Sequence, residues 1–136
     1  MGKKINPWGT DLVEDYEGLF KQFGLQEMPS EYAEKFSSSR LFRRKILFAH
    51  RDYDAFVKDA EKGAPVAVMS GIKPSSEFHL GSKLTAEEII FNQEEFGAKV
   101  FYAVADNEAL ADNGLSYGES HPLAVDNVAD LLALGL

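Results

Sequence analysis

The sequence predicts an α/β fold, one βαβ unit with flanking helices, preceded by a mainly helical N-terminal extension. Three observations carry that expectation. Two short apolar runs, 66–69 and 99–105, are bounded by polar residues and read as buried strands. Residues 80–96 lie between them with Leu84, Ala86, Ile89, Ile90 and Phe96 and no proline, which suits a crossover helix. The composition also changes at Pro65, dividing the chain into 1–63 and 64–136.

In the first part, Leu12, Tyr16, Leu19, Phe20 and Phe23 recur at helical spacing over 11–23, and Gly24 suits the C-cap. Pro29 and Ser30 open a short second helix, with Ser30 as its N-cap. A third segment, 41–48, mixes Leu41, Phe42, Ile46, Leu47 and Phe48 with basic residues. A helix over about 52–62 ends at Gly63. In the second part, the first strand stops at Ser70 and Gly71, and Gly97 ends the long helix. The second strand gives way to a polar stretch, 106–120. Ser120 caps a last helix, with Pro122 near its first turn and Gly135 as its stop. Two strands are fewer than a finished doubly wound sheet contains, so Leu136 reads as an arbitrary end.

With 45% apolar and 26% charged residues, the chain has the composition of an ordinary globular domain. It contains no cysteine, which excludes disulfides and thiolate metal sites. No apolar run approaches the roughly 20 residues needed to cross a bilayer. The N-terminus lacks the apolar segment of a secretory signal, and Asn6 stands where N-myristoylation wants Ser or Thr. A cytoplasmic protein is expected. The net charge of −8 argues against a general polyanion binder. Arg40, Arg43, Arg44, Lys45 and Arg51 nevertheless concentrate positive charge; a solvated helix face is the preferred reading over a nucleic-acid contact.

The loop from Ser70 to Ser82, Ser-Gly-Ile-Lys-Pro-Ser-Ser-Glu-Phe-His-Leu-Gly-Ser, joins the first strand to the long helix. Amides at a helix N-terminus and the helix dipole favour an anion there, and His79 can reach a phosphate oxygen. The loop contains neither G-x-x-x-x-G-K-[ST] nor G-x-G-x-x-G. Taken alone, it is an anion site or a plain connection. His50-Arg51-Asp52 matches a kinase tripeptide without its companion motifs and reads as a helix start. His50, His79 and His121 are too scattered for a metal site.

His79-Leu80-Gly81-Ser82 resembles the His-Ile-Gly-His motif of class I aminoacyl-tRNA synthetases. Ser70 to Ser75 look like their tryptophanyl/tyrosyl branch. Asn6-Pro7-Trp8, Asp15-Tyr16, Phe23-Gly24, Phe42-Arg43-Arg44 and His50-Arg51-Asp52-Tyr53 are similar to the N-terminal extension of archaeal and eukaryotic tryptophanyl-tRNA synthetases. Asp106-Asn107-Glu108, Asp126-Asn127 and the closing Leu134-Gly135-Leu136 fit the same family, so the resemblance covers nearly the whole chain.

The resemblance implies the first half of a Rossmann-like class I nucleotide-binding fold. It implies activation of tryptophan with ATP, Mg2+ accompanying the ATP, and transfer of tryptophan to its tRNA by an enzyme that dimerises at full length. His79 and Ser82 would be catalytic. Pro7, Trp8, Lys73, His79, Gly81 and Ser82 would meet ATP, the Pro7–Trp8 region as a lid. Met69, Ser70, Gly71 and Glu108 would bind the amino acid, with the Glu108 carboxylate holding the ammonium group.

Some positions depart from the family. Ser82 replaces its second histidine; a hydroxyl can bond a ribose or phosphate oxygen but carries no charge. Met69 stands where a ring-reading tyrosine is usual and Ala103 where a hydrogen-bonding residue is common. The Lys-Met-Ser-Lys-Ser motif is absent. The chain is therefore read as an N-terminal portion that does not catalyse efficiently alone. The alternatives are a tyrosyl-type synthetase, or a non-catalytic nucleotide-binding paralogue or truncated product.

Overall fold

A computed structural model describes residues 16–136. Pro7, Trp8 and the first turn of the helix predicted over 11–23 lie outside the described residues. The chain divides into two compact units, the first ending at Tyr53 and the second running Asp54–Leu136. The division at 63/64 follows composition rather than contacts, and as a domain boundary it is a proposal.

The first unit begins with α1 (Tyr16–Phe23). Two-residue strands β1 (Gln26–Glu27) and β2 (Ala49–His50) then pair antiparallel, with Gln26 opposite His50 and Glu27 opposite Ala49. Between them lie two single-turn helices, α2 (Tyr32–Lys35) and α3 (Arg40–Arg43). The core is aromatic. Phe36 packs on Tyr32 and on Phe42 with ring centroids 5.0 Å apart in each pair, and Phe42 stacks on Tyr53 at 6.0 Å.

Two expectations change here. Ser30 is not the cap of α2: Glu31 holds the N-cap position without a side-chain bond, and backbone turns from Tyr32 to Pro29 and Ala33 to Ser30 start the helix. The segment 41–48 is helical only to Arg43. Lys45 adopts φ +53°, its N–H donates to Phe42, and Ile46 N–H donates to Leu41. This is a Schellman end with lysine in the left-handed position, so the chain turns out of the helix there.

In α4 (Tyr53–Glu61), His50 Nδ1 accepts the Tyr53 N–H at 3.1 Å, a structural helix-start role. The second unit is built on β3 (Ala67–Ile72) and β4 (Lys99–Val104), parallel with Ala67 opposite Lys99 and Ile72 opposite Val104. Between them runs α5 (Leu80–Phe96), ended by Gly97 at φ +62°. Then come α6 (Asp106–Asn113) and α7 (Tyr117–Leu134). Ala86 and Ile90 of α5 meet Leu131 of α7 in the core, with Ile72, Phe78, Tyr102 and Leu134 packed around them. Burial pushes the Tyr102 phenol up from its usual value of 10.0.

β3 continues through Ser70 and Gly71 to Ile72, past its expected stop. Gly71 permits this because a Cβ there would lie 2.9 Å from the Ala103 carbonyl oxygen across the sheet. The strands were expected to be buried on both faces. Instead they alternate, with Met69 76% and Phe101 52% exposed on the uncovered face.

The polar stretch 106–120 contains a helix the periodicity did not show. Acidic Asp106 and Glu108 fill the first turn of α6, and the Asp106 carboxylate accepts the Asn107 N–H at 2.8 Å. Nor does Ser120 cap α7. Ser116 does, with the Glu119 carboxylate accepting from the Ser116 N–H at 2.9 Å and hydroxyl at 2.7 Å. Ser120 and Pro122 are inside the helix.

Candidate functional site

The carboxyl ends of β3 and β4 lie side by side, because Ile72 is in register with Val104 and the Ala105 N–H donates to the Ile72 carbonyl at 2.9 Å. In α/β sheets, ligands bind outside this edge. Two segments leave it: the loop 73–79 leading to α5, and the start of α6.

His79 is the N-cap residue of α5, with extended backbone at φ −136° and ψ 175°. Its Nδ1 accepts the N–H of Gly81 at 3.1 Å and of Ser82 at 3.3 Å. The Ser82 hydroxyl stands 3.5 Å from the same nitrogen. An imidazole that accepts at Nδ1 carries its proton, when neutral, on Nε2. His79 is exposed, so Nε2–H is left to donate to a ligand at the positive end of the α5 dipole. Gly81 makes this arrangement possible: a Cβ there would fall 3.0 Å from His79 Cε1 and 3.1 Å from Nδ1.

The loop before His79 is pinned twice. Lys73 Nζ donates to Asp112 Oδ2 of α6 at 3.1 Å. Asn127 of α7, fully buried, donates through Nδ2 to the Ser76 carbonyl at 3.3 Å. Pro74 is also fully buried. Lys73 thus has an acidic partner, which an incoming phosphate would have to displace or share.

His79, Gly81 and Ser82 come together at one helix start, with Lys73 on the loop leading to it. Met69 and Gly71 lie on the open face of β3, whereas Ser70 points to the helix side and is half-buried. Glu108 is exposed in the first turn of α6, beyond the end of β4. Among the described residues no three His, Asp or Glu side chains come together to hold a metal ion, and no helix is long and apolar enough to cross a membrane.

Asp112 and Asn127 as loop anchors were not foreseen. Asn127 had a signal: it occupies the apolar spacing of Leu123 and Leu131 on α7, where a polar group needs a reason. Asp112 had none, because its role depends on α6, which lies in what read only as a polar stretch.

Residues 61–133 match the family described as tRNA synthetases class I (W and Y). The chain is 36% identical over 136 residues to the tryptophan–tRNA ligase of Methanosarcina acetivorans, covering 99% of this chain and 31% of that protein. It is 37% identical to the tryptophan–tRNA ligase of Aeropyrum pernix, covering 98% of this chain and 37% of the relative. The crystal structure of the Aeropyrum pernix tryptophanyl-tRNA synthetase superposes with a TM-score of 0.77 over 97% of this chain and 37% of that one. Tryptophanyl-tRNA synthetase from Giardia lamblia superposes with a TM-score of 0.77 at 28% identity, covering 89% of this chain and 32% of the other. The chain spans about a third of the length of the relatives it matches. By this match, by its parallel βαβ unit and by a capping histidine at the helix start after the first strand, the chain belongs to the class I tRNA synthetases of the W and Y group.

Proposed function

We propose that this chain forms the ATP- and amino-acid-binding part of a tryptophan–tRNA ligase. Such an enzyme joins tryptophan to ATP as tryptophanyl-adenylate, releases pyrophosphate, and passes tryptophan to tRNA(Trp) in the cytoplasm. The observation that supports this most is the His79 cap. Its Nδ1 is engaged by Gly81 and Ser82, and its Nε2–H is available at a helix start, where developing phosphate charge is stabilised. The relatives named for tryptophan supply the choice of amino acid.

In this reading the tryptophan carboxylate attacks the α-phosphorus in line, and the chain contributes positioning and charge stabilisation without a covalent step. His79, Gly81 and Ser82 meet the phosphates. Lys73, released from or sharing Asp112, adds positive charge. Glu108 holds the substrate ammonium, and Met69, Ser70 and Gly71 lie near the side-chain pocket. Pro7 and Trp8 close over ATP, and Mg2+ arrives with the phosphates. The complete enzyme is a homodimer.

The test grafts this chain onto the Aeropyrum pernix enzyme in place of its matching segment and measures pyrophosphate exchange into ATP. Exchange that requires tryptophan supports the proposal. Exchange driven by tyrosine instead would contradict the choice of substrate, and none with either amino acid, in a graft that folds, would contradict the activity.

A further inference from the structure

We propose that Asp112 sets how tightly this site takes phosphate: its carboxylate occupies the Lys73 ammonium, and a nucleotide phosphate gains that cation only by replacing it. This rests on the nucleotide reading above and adds to it a residue that the reaction itself does not call for.

Asp112 stands where its own helix disfavours it. It is the seventh of the eight residues of α6, and a carboxylate in a last turn lies against the negative end of the helix dipole. Glu108 is four residues before it on the same face, a spacing at which like charges repel. Asp106 and Glu108, in the first turn, are favoured by the dipole that disfavours Asp112. What offsets both costs is Lys73, whose Nζ lies 3.1 Å from Asp112 Oδ2.

The ion pair joins the two segments that leave the carboxyl edge of the sheet. Lys73 directly follows Ile72, the last residue of β3, and Asp112 is on the helix after β4. Ligands of such sheets bind at this edge. A phosphate at the start of α5 and the Asp112 carboxylate are therefore rivals for one cation.

The pair can open while the loop stays in place. The Lys73 and Asp112 side chains are 26% and 55% exposed, so water competes for both and the bond is weak. The loop backbone is held by other means. The Lys73 carbonyl accepts the Ser75 N–H at 2.8 Å, Pro74 is fully buried, and Asn127 donates to the Ser76 carbonyl. The Lys73 side chain can then swing from Asp112 to a phosphate with the start of α5 unmoved. Asp112 thus lowers phosphate affinity, and removing its charge raises it.

The test is NMR titration of the 15N-labelled 136-residue chain with ATP, and separately with adenosine, in low salt. Asp112→Asn should bind ATP about threefold tighter than the parent, the scale of one exposed ion pair, with adenosine affinity unaltered. The gain should shrink at about 0.5 M NaCl, where the pair is screened. Lys73→Met should weaken ATP binding. Adding Asp112→Asn to it should change affinity by less than about 1.5-fold, because the carboxylate then has no cation to withhold. Both side chains are partly exposed, so the variants keep the fold, which thermal unfolding checks. Weaker ATP binding by Asp112→Asn would make Asp112 an anchor of the loop only and overturn the proposal. An equal gain with and without Lys73, a gain shared by adenosine, or no saturable ATP binding would overturn it too. Pyrophosphate exchange in the graft reads the activity separately. A graft that exchanges while Asp112→Asn leaves ATP affinity unaltered defeats this role of Asp112 alone. A folded graft without exchange, while Asp112→Asn tightens ATP binding, defeats the activity alone.

Discussion

At His79 the Nδ1 lone pair is taken by the amides of Gly81 and Ser82, so only Nε2 is left to meet a ligand. The cap and the proposed phosphate contact therefore separate under substitution. His79→Ala removes both and should destabilise the chain by about 1 kcal/mol, read by thermal unfolding, as for loss of a capping side chain. His79→Asn keeps an acceptor for the amides, so its melting temperature should stay near that of the parent. Equal losses would mean that the ring, not the cap, stabilises the start of α5. Glu119 gives a second prediction. The Ser116 hydroxyl and N–H hold its carboxyl below the usual 4.5. A carboxyl depressed by folding stabilises the chain above its unfolded pKa, and the contribution is lost as pH falls through the lower folded value. Urea midpoints should therefore drop as pH falls from about 5 to about 3 by more in the parent than in Glu119→Gln. Equal drops would show that the box at Ser116 adds nothing.

Among the elements, α5 was the most legible. Its apolar spacing, the absence of proline and Gly97 gave both ends, 80 and 96, as the structure has them. The start of α7 was also written in the sequence, as Ser116-Tyr117-Gly118-Glu119, a capping box, but Pro122 drew the expected start to Ser120. Pro122 is nevertheless the sixth residue of α7, inside the helix, where it lacks the N–H that would bond the Gly118 carbonyl. α6 was hidden because eight residues rich in Asp and Asn show no apolar stripe. The early stop of α3 depended on a lysine adopting a left-handed conformation, which no residue pattern announces. Ser120, misread as a cap, is fully buried with its Oγ unpartnered. Ser120→Ala should then stabilise the chain by up to about 1 kcal/mol, through better helix propensity and loss of an unsatisfied hydroxyl. A loss of stability in urea unfolding would mean that the hydroxyl is bonded.

Across the whole chain, the βαβ order and the loop at its strand edge were legible because apolar period and glycine placement encode them locally. The uncovered face of β3 and β4 was not, since a short apolar run reads the same whether one face or two are covered. The anchors Asp112 and Asn127 were hidden for a related reason: they act across 39 and 51 residues of sequence, and only the packing of α6 and α7 brings them to the loop. What those anchors hold in place is the helix start where His79 waits, the residue proposed to act in an ATP-activating site. The measurement that tests it most directly is tryptophan-dependent pyrophosphate exchange by the Aeropyrum pernix graft carrying His79→Asn. The rate should fall on the order of 10²-fold against the unsubstituted graft, as for loss of one preorganised donor, with the melting temperature unchanged. An unchanged rate would contradict the claim that this loop stabilises the reacting phosphate.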